Sequence, residues 1–431
     1  MTTTIFWFRN DLRLTDNPAL QAAIGTASCL LPVFCHDPAA DAMTQWGFAR
    51  VGAHRTYFLR AALDDLKQQL RALGSDLIEV NGKPDEVIAA LAQSLGATHL
   101  TCEEIAAPEE EDAITALRKA GLDVNTVWQS SLLDPDDLPW AVNRLPDVFT
   151  AFRHGLEKAD VLPPQPLAAI QQLPPLPVLP AAFAHPMRSA LPAGVEADQR
   201  SSFPYWLPAF AGGETAALLH LERYFDNKLA HTYKQTRNGL SGVDYSTKFS
   251  PWLASGALSA PTVYARLKEF EHAHGANESS YWIWFELLWR DYFRFLHLKY
   301  GRKLYRARGL AEAGTPPPRH HAVMFRRWCN GATGEPFVDA GMRELAATGY
   351  LSNRLRQVVA SYLIHDLGGD WRAGAAWFES QLLDYDVCSN QGNWLYLAGR
   401  GTDPRTGRRF NPKKQAQDYD ADGRFCALWA T

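Results

Sequence analysis

The hydrophobic rhythm of the chain changes partway along. Up to about residue 130, short unbroken apolar runs alternate with longer stretches whose apolar residues recur at helical spacing. The runs at 5–8 (IFWF), 29–35 (CLLPVFC), 76–80, 99–102 and 124–128 are short enough for strands, whereas 50–73, 84–95 and 109–120 read as helices, and Asn17-Pro18 opens another. Strands that are apolar on both faces and separated by helices imply a five-stranded parallel sheet covered on both sides, a Rossmann-like α/β domain over residues 1–130. No GxGxxG follows the first run, so the dinucleotide fingerprint is absent from its usual place.

Residues 131–200 lose both rhythms. Pro163, Pro164, Pro174, Pro175, Pro177 and Pro180 punctuate a low-charge tract that reads as a partly extended connector. Over 201–431 the apolar spacing is helical, at 213–223, 257–272, 281–300, 341–367 and 371–381, which predicts an all-α second domain. No tandem repeat is visible.

Composition adds a soluble, globular character, with 46% hydrophobic and 21% charged residues. The net charge of -4 neither favours nor excludes nucleic acid, because a basic face can sit on an acidic whole. The six cysteines are scattered without a CxxC, as expected of reduced thiols in a cytosolic protein. No signal peptide is evident, no apolar run is long enough to span a bilayer, and a monomer is expected. Most of the 14 Trp lie after residue 125, so the helical half is physically distinct.

The densest candidate chemistry is at 382–396 (LLDYDVCSNQGNWLY), where Asp384, Asp386, Asn390 and Asn393 sit between apolar anchors. Buried acids and amides are costly unless paired. The segment has no His and no spaced Cys partner, which does not suit a metal, and an extended heteroaromatic ligand fits better. In 245–253 (YSTKFSPWL), Ser246, Thr247, Ser250 and Lys248 offer the hydroxyls and charge that a phosphate uses. In 281–295, Glu286 and Trp289 are three apart and project into one cavity, and Glu286, Arg290 and Arg294 make one charged stripe. In 349–357, Asn353, Arg356 and Gln357 share a helix wall, with Arg356 a candidate partner for one acid of 382–396. Two basic runs, from Lys299 to Arg308 and from Arg400 to Lys414, flank the aromatic region in the manner of a phosphate-tracking rim.

Over nearly its full length the chain resembles the photolyase/cryptochrome family, and the cryptochrome-DASH branch most closely. The segments that carry this are 7–20 (WFRNDLRLTDNPAL), 232–259, 281–295, 334–345 (GEPFVDAGMREL), 352–363 (SNRLRQVVASYL) and 384–394 (DYDVCSNQGNW). The resemblance implies an α/β antenna domain, a helical domain holding FAD, and blue-light repair of cyclobutane pyrimidine dimers, preferentially in single-stranded DNA. Tyr233, Ser246, Thr247, Lys248, Phe249 and Ser250 match positions that hold the FAD phosphates and ribityl chain. Asn353, Arg356, Asp384 and Asp386 match those around flavin and adenosine, with Arg356–Asp384 as an ion pair, and Asn390 matches the residue facing flavin N5. Trp394 and Trp371 match two members of an electron relay, but the third position, ten residues before Trp328, is Pro318. Glu286, Trp289, Gln357 and Tyr396 match the lesion pocket. Gln357 and Tyr396 are the DASH residues, where the best-known bacterial enzymes carry Met and Trp. Enzymes for (6-4) lesions have His where this chain has Asn353 and Gln357. A methenyltetrahydrofolate antenna is expected between the domains, with its acid at Glu109 or Glu110. The rival reading is a cryptochrome photosensor that does not repair DNA.

Overall fold

The computed structural model describes residues 2–179, 183, 195–403 and 407–430, so Pro180 and Arg405 lie outside the described residues. Strands β1 (Thr3–Phe8), β2 (Cys29–His36), β3 (Ile78–Asn81), β4 (His99–Glu103) and β5 (Asp123–Val127) form one parallel sheet in the order β3-β2-β1-β4-β5. Helices α1 (Pro18–Thr26), α2 (Ala53–Ala72), α3 (Pro84–Leu95) and α4 (Pro108–Lys119) connect them. Alternation along β1 explains why its run is unbroken. Ile5 and Trp7 pack on one face with Leu31 and Val33, while Phe6 and Phe8 pack on the other with Leu63 and Leu66. The strand order reverses between β1 and β4, so their carboxyl ends open the crevice where such sheets take ligands.

The helical domain meets the sheet at that end. Glu214, which opens α6 (Glu214–Asp226), accepts hydrogen bonds from the Leu14 and Thr15 amides at 2.7 and 2.8 Å. Arg13 donates to the Gly256 carbonyl at 2.9 Å. Gly256 has φ +67, and a Cβ there would lie 1.8 Å from the Asn10 carbonyl oxygen, so only glycine permits this approach of the two backbones.

Two expectations are corrected. The connector contains a helix, α5 (Phe149–Ala159), which buries Phe149, Phe152 and Leu156 against the helical domain. The stretch 341–367 is not one helix. It comprises α12 (Pro336–Thr348), α13 (Asn353–Ser361) and a π-helical turn at Tyr362–Asp366. Gly349, at φ +66, ends α12, and the Ser352 hydroxyl restarts the chain by accepting from the Leu355 amide at 3.3 Å. The other helices of this domain are α7 (Tyr233–Thr236), α8 (Ser250–Ser255), α9 (Ala260–His274), α10 (Glu278–Tyr300), α11 (Ala322–Cys329), α14 (Trp371–Gln381), α15 (Val387–Leu397), α16 (Pro412–Tyr419) and α17 (Arg424–Leu428). Among the described residues, no helix is long and apolar enough to cross a membrane, and no cluster of His, Cys, Asp or Glu could hold a metal.

Candidate cofactor and substrate site

The segment around α7 and α8, together with α10, α13 and α15, encloses a cavity of about 540 Å³, inside the range of about 300–1,000 Å³ of cofactor pockets. Tyr233, Ser246, Thr247, Lys248, Phe249 and Ser250 form one wall, and Asn353, Arg356 and Asp384 another. Glu286, Trp289, Gln357 and Tyr396 line the same space. Residues from separate parts of the sequence are thus brought together. Asp386, Asn390 and Trp394 line an adjoining recess of about 100 Å³, which shares Asn353, Arg356, Gln357 and Asp384 with the main cavity.

Arg356 reaches Asp384 at 2.9 Å and donates a second bond to the Leu351 carbonyl at 2.8 Å. The other Asp384 oxygen is buried with no partner in the protein. Lys248 holds a left-handed backbone, φ +58, which is rare outside glycine and costs of order 1–3 kcal/mol. Its buried ammonium has no hydrogen-bond acceptor and lies 3.3 Å from the Tyr245 ring centre and 4.7 Å from that of Tyr350. Burial holds the Lys248 pKa well below its ordinary value, opposed by the charge of Glu344. Glu344 is itself fully buried, and desolvation pushes its pKa up to about 8. An orphaned carboxylate oxygen, an orphaned ammonium and an orphaned Tyr245 hydroxyl therefore belong to the lining of one cavity. Each costs about 1–3 kcal/mol unless a ligand satisfies it. FAD, with phosphate acceptors, ribityl hydroxyls and a donor–acceptor ring edge, fits this set.

The second acid is handled differently. Asp386 caps α15 by accepting from the Ser389 amide at 2.7 Å and takes both terminal nitrogens of Arg294. Burial alone would raise its pKa, but the charges of Arg294 and Arg290 hold it well below the usual carboxylate range. The stripe read along α10 is consequently not a stripe. Arg294 is buried against Asp386, and Arg290 donates to the carbonyls of Ser130 and Leu253 instead of pairing with Glu286. Glu286 turns to the cavity and pairs with Arg237, one residue beyond α7. Burial raises the Glu286 pKa, and the Arg237 charge opposes that rise.

Trp289 stacks on Phe149 with ring centres 3.7 Å apart and planes at 11°, and meets Tyr396 edge-on at 5.8 Å. Arg408 lies over the Tyr396 ring at 4.3 Å. Sequence reasoning missed Phe149, Arg237, Glu344 and Tyr350 as parts of the site, and reached Tyr245 only within 245–253 and Arg408 only within the second basic run. The available signal for Arg237 was its place four residues after Tyr233, one helical turn along. Asn390 donates its amide to the Ala375 carbonyl at 3.1 Å. Trp394 packs edge-on against Phe378 at 5.1 Å, over Gly374, where a Cβ would lie 2.2 Å from its ring. Trp371 lies outside both cavities, buried, with its indole N–H donating to the Ala307 carbonyl at 3.1 Å. Pro318 sits half-buried in the loop before α11. At the interdomain crevice, Glu109 is exposed and pairs with Arg50 at 2.6 Å. Glu110 is half-buried, and its pKa is raised by burial against the charge of Arg9.

Known proteins share this fold. The family model described as DNA photolyase matches residues 4–174, and the FAD binding domain of DNA photolyase matches 282–431. A cryptochrome DASH from Xenopus laevis is 46% identical over 98% of this chain and 81% of its own length. The crystal structure of a cryptochrome from Synechocystis sp. superposes with a TM-score of 0.94 at 43% identity, covering 100% of this chain and 88% of that one. An archaeal photolyase from Sulfolobus tokodaii, solved with two FAD molecules and discussed as implying a novel light-harvesting cofactor, superposes at 0.74 with 25% identity, covering 99% and 90%. The fold and both matched family models are those of an FAD-binding, photolyase-type flavoprotein. Within that class the chain belongs to the cryptochrome-DASH family.

Proposed function

We propose that this protein repairs cyclobutane pyrimidine dimers in single-stranded DNA under blue light. The observation that carries the reading is the shared cavity: Glu286, Trp289, Gln357 and Tyr396 line the space that Arg356, Asp384 and Lys248 enclose for the flavin. A bound, reduced flavin supplies one electron on excitation. The protein's part is to hold the dimer beside it. Trp289, backed by Phe149, offers a rigid aromatic face, and Tyr396 a second surface at its edge. Glu286 donates a hydrogen bond to the dimer carbonyls from its protonated form, which burial favours, and steadies the negative charge that arrives there. Asn390, an uncharged amide fixed by the Ala375 carbonyl, serves flavin N5, and Trp394 and Trp371 serve its reduction.

Single-stranded DNA is favoured because flipping a dimer out of a duplex costs a few kcal/mol in lost pairing and stacking. Gln357 and an edge-on Tyr396 return less stacking energy than two flat apolar faces would. Glu110, half-buried at the crevice between β1 and β4, is the better placed of the two acids to hold an antenna such as methenyltetrahydrofolate. The test is illumination of the reduced holoprotein with dimer-containing oligothymidine, following loss of the dimer by chromatography. Intact dimers after illumination would sink the repair reading.

A further inference from the structure

A file of aromatic rings runs from the recess beside the main cavity to the surface, and it does not pass through Trp371. Trp394, which lines that recess, meets Trp328 edge-on with ring centres 6.4 Å apart. Trp328 stacks on Phe325 at 5.8 Å, Phe325 meets His320 at 5.4 Å, and His320 packs on Trp46 at 4.7 Å. Each step lies within the range of about 4.5–7 Å for rings in contact. Trp46 belongs to the loop between β2 and α2, so the file starts in the helical domain and ends on the α/β domain.

Indole is the most easily oxidised of these rings, so Trp328 and Trp46 are the stations and Phe325 and His320 the bridge between them. An indole that has lost an electron is trapped only where its N–H proton can leave. Trp328 is fully buried, and its N–H is held by the Val359 carbonyl at 2.9 Å, a poor base. Trp371 is in the same position, with its N–H on the Ala307 carbonyl, and among the described residues its ring packs against no other aromatic ring. Pro318 stands at the third relay position, so no indole follows Trp371 there. A branch from Phe325 through Phe48 reaches Trp377, at 6.2 and 5.0 Å, but the Trp377 N–H is buried without an acceptor. Trp46 is half-buried, and its N–H is neither enclosed nor bonded within the protein, so it faces water. The Arg372 guanidinium, 6.0 Å from the Trp46 ring centre, favours loss of a proton from that ring once it is oxidised.

We infer that Trp328 and Trp46 complete an electron path that Trp394 begins, with Trp46 as its exit to solvent. The inference rests on the flavin reading of the recess. Trp394 gives one electron to the photoexcited, oxidised flavin and takes one from Trp328, which takes one from Trp46. Trp46 then loses its indole proton to water and is left as a neutral radical. A soluble thiol returns a hydrogen atom to it, and two of the resulting thiyl radicals pair as a disulfide. Trp371 shares the electron deficit with Trp394 but gives it no way out.

The experiment illuminates the oxidised holoprotein with blue light beside a nitroso spin trap and maps the adduct by peptide mass spectrometry. A parallel sample with a thiol follows bleaching of the flavin absorbance. The adduct is expected on Trp46. Trp328→Phe and Trp46→Phe should lose most of the light-driven bleaching, and Trp371→Phe should keep more of it than either. Trp328 lies in the core, so the surface variant Trp46→Phe carries the test if Trp328→Phe does not fold. Trp46→Phe should keep the parent's flavin content and its reduction by dithionite. An adduct on Trp371 or Trp377 in place of Trp46, or bleaching of Trp46→Phe at the parent's rate, would overturn the path. A purified protein that holds no flavin would overturn the flavin reading, and the path with it.

Discussion

Arg237 pairs with Glu286 in the lining of the main cavity. A guanidinium nitrogen just beyond α7 bonds one carboxylate oxygen of the α10 acid, and the same guanidinium lies over the Trp282 ring at 4.3 Å. Burial raises the Glu286 pKa and the Arg237 charge opposes it, so under the proposed repair function the pair would set the pH at which Glu286 offers a proton to a dimer carbonyl. Glu286→Ala should cut repair by about 10²-fold, within the range for removing a donor to developing charge, with flavin content unchanged. Arg237→Ala should let Glu286 keep its proton to higher pH, so the alkaline limb of the repair profile moves up. A limb that stays put or moves down would show that Arg237 does not tune this acid.

Arg356 and Asp384 form an ion pair in the lining of the main cavity, and Asp384 keeps one oxygen free of protein partners. Removing one member of a buried pair leaves an uncompensated charge and costs about 3–5 kcal/mol. Asp384→Asn and Arg356→Leu should each lower the denaturation midpoint and reduce the bound-flavin absorbance per chain. Full flavin retention with wild-type stability in either variant would count against this role.

Asp386 gives a pH prediction. Its pKa is depressed below the ordinary value of 3.8 in the folded protein. Below that value the unfolded chain binds a proton that the native state does not, so stability rises with pH there. The contribution of the Asp386–Arg294 pair is therefore present above about pH 4 and is lost as pH falls toward the depressed pKa. Chemical denaturation from pH 3 to pH 7 should show Asp386→Asn destabilised at neutral pH by about 3–5 kcal/mol, with a flatter acid limb than the parent.

Trp289 depends on Phe149 for its orientation, with ring planes 11° apart. Trp289→Ala should weaken binding of a dimer-containing oligomer by about 5–150-fold, equivalent to about 1–3 kcal/mol of lost stacking. Phe149→Ala should reproduce part of that loss although it touches no ligand, which titration of both variants would reveal.

Gly374 leaves room for the Trp394 ring, and a methyl group there would meet it at 2.2 Å. Gly374→Ala should destabilise the protein by about 1–3 kcal/mol through overpacking and slow photoreduction of the oxidised holoprotein. Wild-type photoreduction in a variant whose Trp394 had moved would remove that residue from the electron path.

The sheet could be read from the sequence because β1 and β2 are unbroken apolar runs and the stretches between successive strands carry helical spacing, although β5 (DVNTV) alternates instead. The connector helix could not. Phe149, Phe152 and Leu156 carry its periodicity, but eleven residues among prolines and acids are too few to stand out. The break at Gly349 was hidden because α12 and α13 keep one hydrophobic phase across it. Within the site, the residue types at 246–250, 353–357 and 384–396 announced polar chemistry, while their partners did not. Arg237 finds Glu286 from 49 positions away, and Arg294 finds Asp386 from 92. Helical spacing suggested Arg290 for Glu286, and only the tertiary packing of α10 against the Ser130 and Leu253 carbonyls redirects it.

The most direct test of repair is illumination of the reduced, FAD-loaded protein with single-stranded oligothymidine bearing one cyclobutane dimer, alongside the same lesion in a duplex. Dimer loss should be light-dependent, faster on the single strand, and strongly reduced in Glu286→Ala. Dimers that remain intact on the single strand, with flavin bound and reduced, would contradict the account.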